Sequence, residues 1–159
     1  MLIDETSLQQ ITMDICQSML GLELIPISPE IDTARQLVAS VEIRGDRHTI
    51  IEVFAHDNLT SKIAEVMFNS ERGSLSEAEI RDAFGEIANM IGGNVKGSLG
   101  EEAALSLPVI GQAFDWLDRL PHGSLRTTFE CCGYPLTIVV RDAEIEFVAI
   151  SDSEKPLCE

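Results

Sequence analysis

The chain has 159 residues, of which 45% are apolar, and a formal charge of −16 from 27 acidic and 11 basic side chains. That length suits one domain over 1–159, with an ordered core over about 5–150 and a loose tail over 152–159. The acid surplus opposes phosphate contacts and disfavours an anionic membrane surface, so neither nucleic acid nor membrane is the expected partner.

No stretch approaches the roughly 18 consecutive apolar residues that a membrane span needs. The opening Met1-Leu-Ile-Asp-Glu is not a basic leader. The expectation is therefore a cytoplasmic protein with no membrane insertion. Cys16, Cys131, Cys132 and Cys158 contain no C-x-x-C pair. Cys131 and Cys132 are adjacent in a predicted strand and point to opposite faces, which poorly suits one shared metal. Reduced thiols and no metal site are expected.

In chain order, Leu8, Ile11, Ile15 and Met19 recur at helical spacing, with Thr6 and Gln9 as a capping box and Gly21 as the stop. Leu22–Ile25 predicts a short strand ended by Pro26. Residues 37–44 alternate apolar and polar like a half-buried strand, Gly45-Asp46 supplies a turn, and His48–Ala55 returns. Asp57 or Asn58 is the expected cap of a helix reaching about Phe68, with Leu59, Ile63, Val66 and Met67 inward.

Ser76 with Glu79 forms a second capping box, opening the longest helix, to about Leu99. Leu105–Ile110 then reads as a strand whose Pro108 implies an edge or a bulge. Residues 111–123 read as irregular or briefly helical, with Phe114, Trp116 and Leu117 covering the core edge. Ser124–Cys131 and Tyr134–Arg141 predict a hairpin around Cys132-Gly133. Glu144–Ile150 predicts a last strand. The order suits an α+β fold, a mainly antiparallel sheet packed against two or three helices.

The long helix carries the candidate chemistry. At about 100° per residue, Ile80, Phe84, Ile87, Ile91 and Val95 form a core stripe. Asp82, Glu86, Asn89 and Gly93 form a second stripe nearly opposite. Gly85, Gly92, Gly93 and Gly97 each cost roughly 1 kcal/mol against Ala within a helix. Three explanations fit them: close approach of a partner, which suits Gly93 best; intramolecular packing; or a helix break at Gly92-Gly93. By itself, an exposed Glu and Asn three apart describe a solvated face.

Asp82-x-x-x-Glu86-x-x-Asn89, followed by Met90-Ile91-Gly92-Gly93-Asn94-x-Lys96 and then the strand with Pro108, resembles the signature helix of the CheC/CheX/FliY chemotaxis phosphatases. The element order is similar over roughly residues 5–150. With one E-x-x-N, the chain resembles the CheX type within a CheC-like fold. The resemblance implies an acyl-phosphate protein phosphatase that hydrolyses the aspartyl phosphate of a CheY-like response regulator. It implies Asn89 and Glu86 as catalytic residues, and Glu86, Asp82, Gly93 and Lys96 as partner-binding residues. It also implies a homodimer, no cofactor of its own, and Mg2+ supplied by the receiver.

The alternative is a non-catalytic adaptor or switch-complex module using the same face. A phosphate loop at Gly92–Ser98 fails, because Gly97 is followed by Ser98 rather than Lys. His48, His56 and His122 suggest no hydrolase constellation, and Ser124 lies in no nucleophile elbow.

Overall fold

The computed structural model describes residues 3–28, 36–100, 102–113 and 123–143. Helix α1 (Glu5–Ile15) runs on through one wider π-type turn, Cys16–Leu20, to left-handed Gly21. Then follow β1 (Ile25–Ile27), β2 (Gln36–Arg44), β3 (His48–His56), α2 (Asp57–Phe68) and α3 (Glu77–Ser98). The described chain closes with β4 (Ala104–Leu105), β5 (Val109–Gln112), β6 (Leu125–Cys131) and β7 (Tyr134–Asp142). The expected strand over 144–150, the 152–159 tail, Phe114, Trp116, Leu117, His122 and Cys158 lie outside the described residues.

Every pairing among the described strands is antiparallel, in the order β1-β6-β7-β3-β2, with β4 and β5 successively on the outer edge of β2. The three helices pack on one face, α3 across β2 with α1 and α2 beside it. Leu37, Ala39, Val41 and Ile43 of β2 point into that layer, where they meet Phe84, Ile87, Ile91 and Val95 of α3 and Leu8 and Ile15 of α1. Period 2 on the strand and 3.6 on the helix thus converge on one core. Each fully buried aliphatic or Phe side chain there contributes about 1.5–3 kcal/mol.

The opposite face of the sheet departs from the half-buried expectation. Val38, Phe54, Ala113 and Val139 form a second apolar cluster. Beside them, Arg141 Nε donates to Glu52 Oε1 at 2.6 Å, with side-chain exposures of 4% and 1%. Central strands β3 and β7 are therefore covered on both faces. The polar residues at alternate positions obscured this, because a buried ion pair looks like a solvated face in the pattern.

Local chemistry decided several boundaries differently from the sequence reading. Asp4, not Thr6, caps α1: its carboxylate accepts the Ser7 N–H at 2.7 Å, and that bond holds its carboxyl below the usual range. His56 caps α2 through ring Nδ1, which accepts from the Asn58 N–H at 3.1 Å, while its ring stacks on Tyr134. The Ser76–Glu79 capping box is present in full. β1 lies over Ile25–Ile27 rather than Leu22–Ile25, and tolerates Pro26 because it is an edge strand among the described residues. The Cys132-Gly133 turn is a two-residue hairpin with φ of 52° and 82°. Both central residues being left-handed matches the strand twist. Cys132 thus sits in the turn, exposed, while Cys131 ends β6 buried.

The predicted strand over 105–110 is split. Ile43 pairs with Leu105 and Ser40 with Val109, so three residues, Ser106 to Pro108, oppose two on β2. This is a β-bulge on an edge, as Pro108 implied. Its backbone is fixed twice: Ser106 N–H donates to the Glu42 carbonyl at 2.9 Å, and Glu42 N–H donates to Ser106 Oγ at 2.8 Å.

Candidate functional site

Helix α3 is unbroken over 22 residues, so of the three explanations for its glycines the break at Gly92-Gly93 does not apply. Phe84, Ile87, Ile91 and Val95 are fully buried. Ile80, placed in the core stripe by spacing, is half-buried at the rim of a cavity of about 170 Å3 with Leu37, Asp57, Thr60 and Arg81. Its position near the helix start carries it past the sheet's cover.

The glycines divide into two kinds. A Cβ on Gly92 would stand 2.8 Å from Val41 Cγ2 and 3.0 Å from Leu105 Cδ1; one on Gly85 would stand 3.0 Å from Pro108 Cγ. These two glycines let the β4–β5 edge lie against the helix. Gly93 and Gly97 meet nothing within 4 Å. Intramolecular packing explains the first pair and leaves Gly93 on an open surface.

The contrast predicts opposite stability effects. Gly92→Ala should destabilise by about 1–3 kcal/mol, since Val41 is fully buried and has no free space to move into. Gly93→Ala should stabilise by up to about 1 kcal/mol through helix propensity. Urea unfolding of both variants measures this, and equal midpoints would contradict the assignment.

Asp82, Glu86 and Gly93 are exposed, and Asn89 and Lys96 are half-buried. Glu86 and Asn89 stand about 60° apart around the helix and one turn apart along it, on the side away from the core. Among the described residues, the side chains of Asp82, Glu86, Asn89 and Lys96 make no hydrogen bond or ion pair within the chain. A carboxylate and a carboxamide therefore share one rigid face, with their bonding capacity open to an incoming molecule. All five expected site residues fall on this face.

Sequence reading missed what borders the face. The β4–β5 edge runs antiparallel to α3, with Leu105 level with Gly92 and Pro108 level with Gly85. Seven helical residues span about 10.5 Å and three extended residues about 10 Å, so Ser106 and Leu107 run level with the Glu86–Asn89 turn, on the side of the helix nearer Asn89. Opposite the bulge, the Glu42 carboxylate accepts from Arg44 and from His48, the latter at 2.8 Å. Burial pushes the Glu42 carboxyl up, but those partners outweigh it and hold it below the usual range. Pro108, with the costly glycines Gly85 and Gly92, was the sequence signal of this border.

Elsewhere, burial pushes the Cys16 and Cys131 thiols up, to about 11 and about 12, which makes them poor nucleophiles. Among the described residues no group of three His, Cys, Asp or Glu side chains converges to hold a metal ion. No described helix is long and apolar enough to cross a membrane.

Comparison with known proteins places this geometry. No curated protein matches the chain. The chain is similar in structure to the chemotaxis protein CheX from Vibrio vulnificus, with TM-score 0.68 and 19% identity over 88% of this chain and 97% of that one. It is also similar to the CheX–CheY–BeF3–Mg2+ complex from Borrelia burgdorferi, with TM-score 0.68 and 14% identity over 89% and 99% of the two chains. Thermotoga maritima FliY follows at TM-score 0.55 and 17% identity, covering 91% of this chain and 88% of that one. These likenesses show the shared α+β fold. Residues 37–130, more than half of the chain and including all of α3, match the family described as chemotaxis phosphatase CheX. The chain belongs to the family of the chemotaxis phosphatase CheX.

Proposed function

We propose that this protein hydrolyses the aspartyl phosphate of a CheY-like receiver and so ends a chemotaxis or related two-component signal. The observation that carries the reading is the pairing of Glu86 and Asn89 on one open face of an unbroken helix, in a chain of a phosphatase family. A structure similar in fold was solved as a CheX–CheY complex, which supports a CheY-like partner.

The chemistry asked of this face is small. Phosphoryl transfer is catalysed chiefly by positioning and electrostatics. The phosphorylated receiver brings the phosphoryl group and its Mg2+, so this chain needs no cofactor of its own. The Asn89 carboxamide accepts one hydrogen bond from a water and donates another to a phosphoryl oxygen, orienting that water for in-line attack. It is not a general base, because an amide is too weakly basic. The P–O bond to the aspartate breaks as the water oxygen bonds to phosphorus, releasing inorganic phosphate and a free carboxylate.

Glu86 pairs with a basic side chain beside the phosphorylation site, one turn from Asn89, so both enter the same cleft. Asp82 extends that acidic contact by a further turn. Gly93 leaves room for the docked surface, and Lys96 closes the stripe with the opposite charge. Glu86→Ala should raise the dissociation constant for the receiver by roughly 10-fold, the scale of a lost interfacial ion pair. Titration of the BeF3-treated receiver checks this, and unchanged affinity would remove the ion pair.

Homodimerisation belongs to the same proposal. At edge strand β1, Ile25 and Ile27 are exposed, and β6 is its only strand partner among the described residues. Sedimentation equilibrium measures the state. Receiver dephosphorylation in the presence of Mg2+ tests the whole reading: faster loss of phosphate with this protein supports it, and receiver binding without faster loss would select the adaptor role.

A further inference from the structure

We propose that Leu107 is a docking residue, an apolar lip that seats on the receiver and closes the space around the water held by Asn89. The inference rests on the receiver-phosphatase reading above. Leu107 is 85% exposed, more than any other large hydrophobic residue among those described. Its neighbours are fixed: Ser106 holds β2 through two hydrogen bonds, and Pro108 packs on the helix at Gly85. An apolar side chain on so rigid a mount loses little backbone entropy on binding.

Placement gives the lip its role. The bulge passes level with Glu86 and Asn89, so a molecule engaging those two side chains covers Leu107 in the same event. An oriented water is useful only when bulk water is kept from the same position. Neither Glu86 nor Asn89 can exclude solvent, being polar and open, whereas Leu107 can.

A second copy of this chain is the rival occupant, and the edge argues against it. Strand addition needs an uninterrupted row of backbone donors and acceptors. Here the bulge breaks the ladder and Pro108 has no N–H to offer. The receiver, proposed above to engage the neighbouring stripe, is the occupant this edge suits.

The test compares Leu107→Ser and Leu107→Met with the unaltered chain in receiver dephosphorylation, with sedimentation and thermal unfolding alongside. Leu107→Ser should raise KM about 10-fold, because a buried apolar contact is lost from the complex. Leu107→Met should retain the original KM, and both variants should unfold at the original temperature. An unchanged KM in Leu107→Ser, with Asn89→Ala inactive in the same assay, overturns the lip and leaves the phosphatase reading standing. A lost dimer with unchanged receiver affinity assigns Leu107 to a second copy and also overturns it. If the unaltered chain neither binds nor dephosphorylates any receiver, the phosphatase reading itself falls, and the lip with it.

Discussion

Asn89→Ala should lower the rate of receiver dephosphorylation at least roughly 100-fold while leaving receiver affinity close to its original value. The magnitude is that of removing one preorganised hydrogen-bonding group from a transition state. The asymmetry between rate and affinity follows from the geometry. Asn89 is half-buried beside the bulge and contributes one short side chain to the open face, whereas Glu86 is exposed and charged. The proposed mechanism therefore assigns long-range attraction to Glu86 and the short-range placement of one water to Asn89. Asn89→Asp makes the control sharper. It keeps the size but replaces the donor with a carboxylate, which repels a phosphoryl group, so it should not restore activity. Single-turnover decay of the phosphorylated receiver gives the rate, and titration gives the affinity. A variant with full turnover would take Asn89 out of the chemistry.

The second large effect concerns stability, on the opposite face of the sheet. Arg141→Met should destabilise the fold by about 3–5 kcal/mol, since it breaks a 2.6 Å ion pair whose side chains are 4% and 1% exposed. Replacing both, as Glu52→Leu with Arg141→Met, should recover part of that loss. Burying an ion pair costs desolvation on both sides, and an apolar pair of similar volume avoids it. Urea midpoints of the two single variants and the double give the coupling. Equal destabilisation by Arg141→Met and by the double variant would mean that packing, not charge pairing, holds this site. Neither residue is near α3, so activity per folded molecule should be unchanged.

Much of the helical layer was legible from the chain alone. The Ser76–Glu79 box marks the start of α3, since a hydroxyl and a carboxylate three residues apart satisfy two otherwise orphaned N–H groups. Phe84 to Val95 read as core for the same local reason, a fixed angle per residue. Caps at other starts did not read as well. Asp4 and Thr6 both suit α1, where the Asp4–Ser7 hydrogen bond marks the start, and His56 competes with Asp57 at α2, where the end of β3 at His56 makes the choice. Strand pattern misled where both faces are covered: Glu52 and Arg141 look like surface residues until their buried ion pair is seen.

By itself the sequence determined the composition of the site face: Asp82, Glu86, Asn89, Gly93 and Lys96 recur at three- and four-residue steps, and helix geometry alone puts such residues on one side. Tertiary structure decided what borders that face. Gly85 and Gly92 admit the edge strand because Pro108, Leu105 and Val41 arrive from other parts of the chain, and the resulting bulge carries Leu107 past the helix at the level of the site. Helical spacing is a local property that any stretch of residues carries with it. The approach of a strand to a helix depends on which surfaces are buried together, and no single segment holds that information.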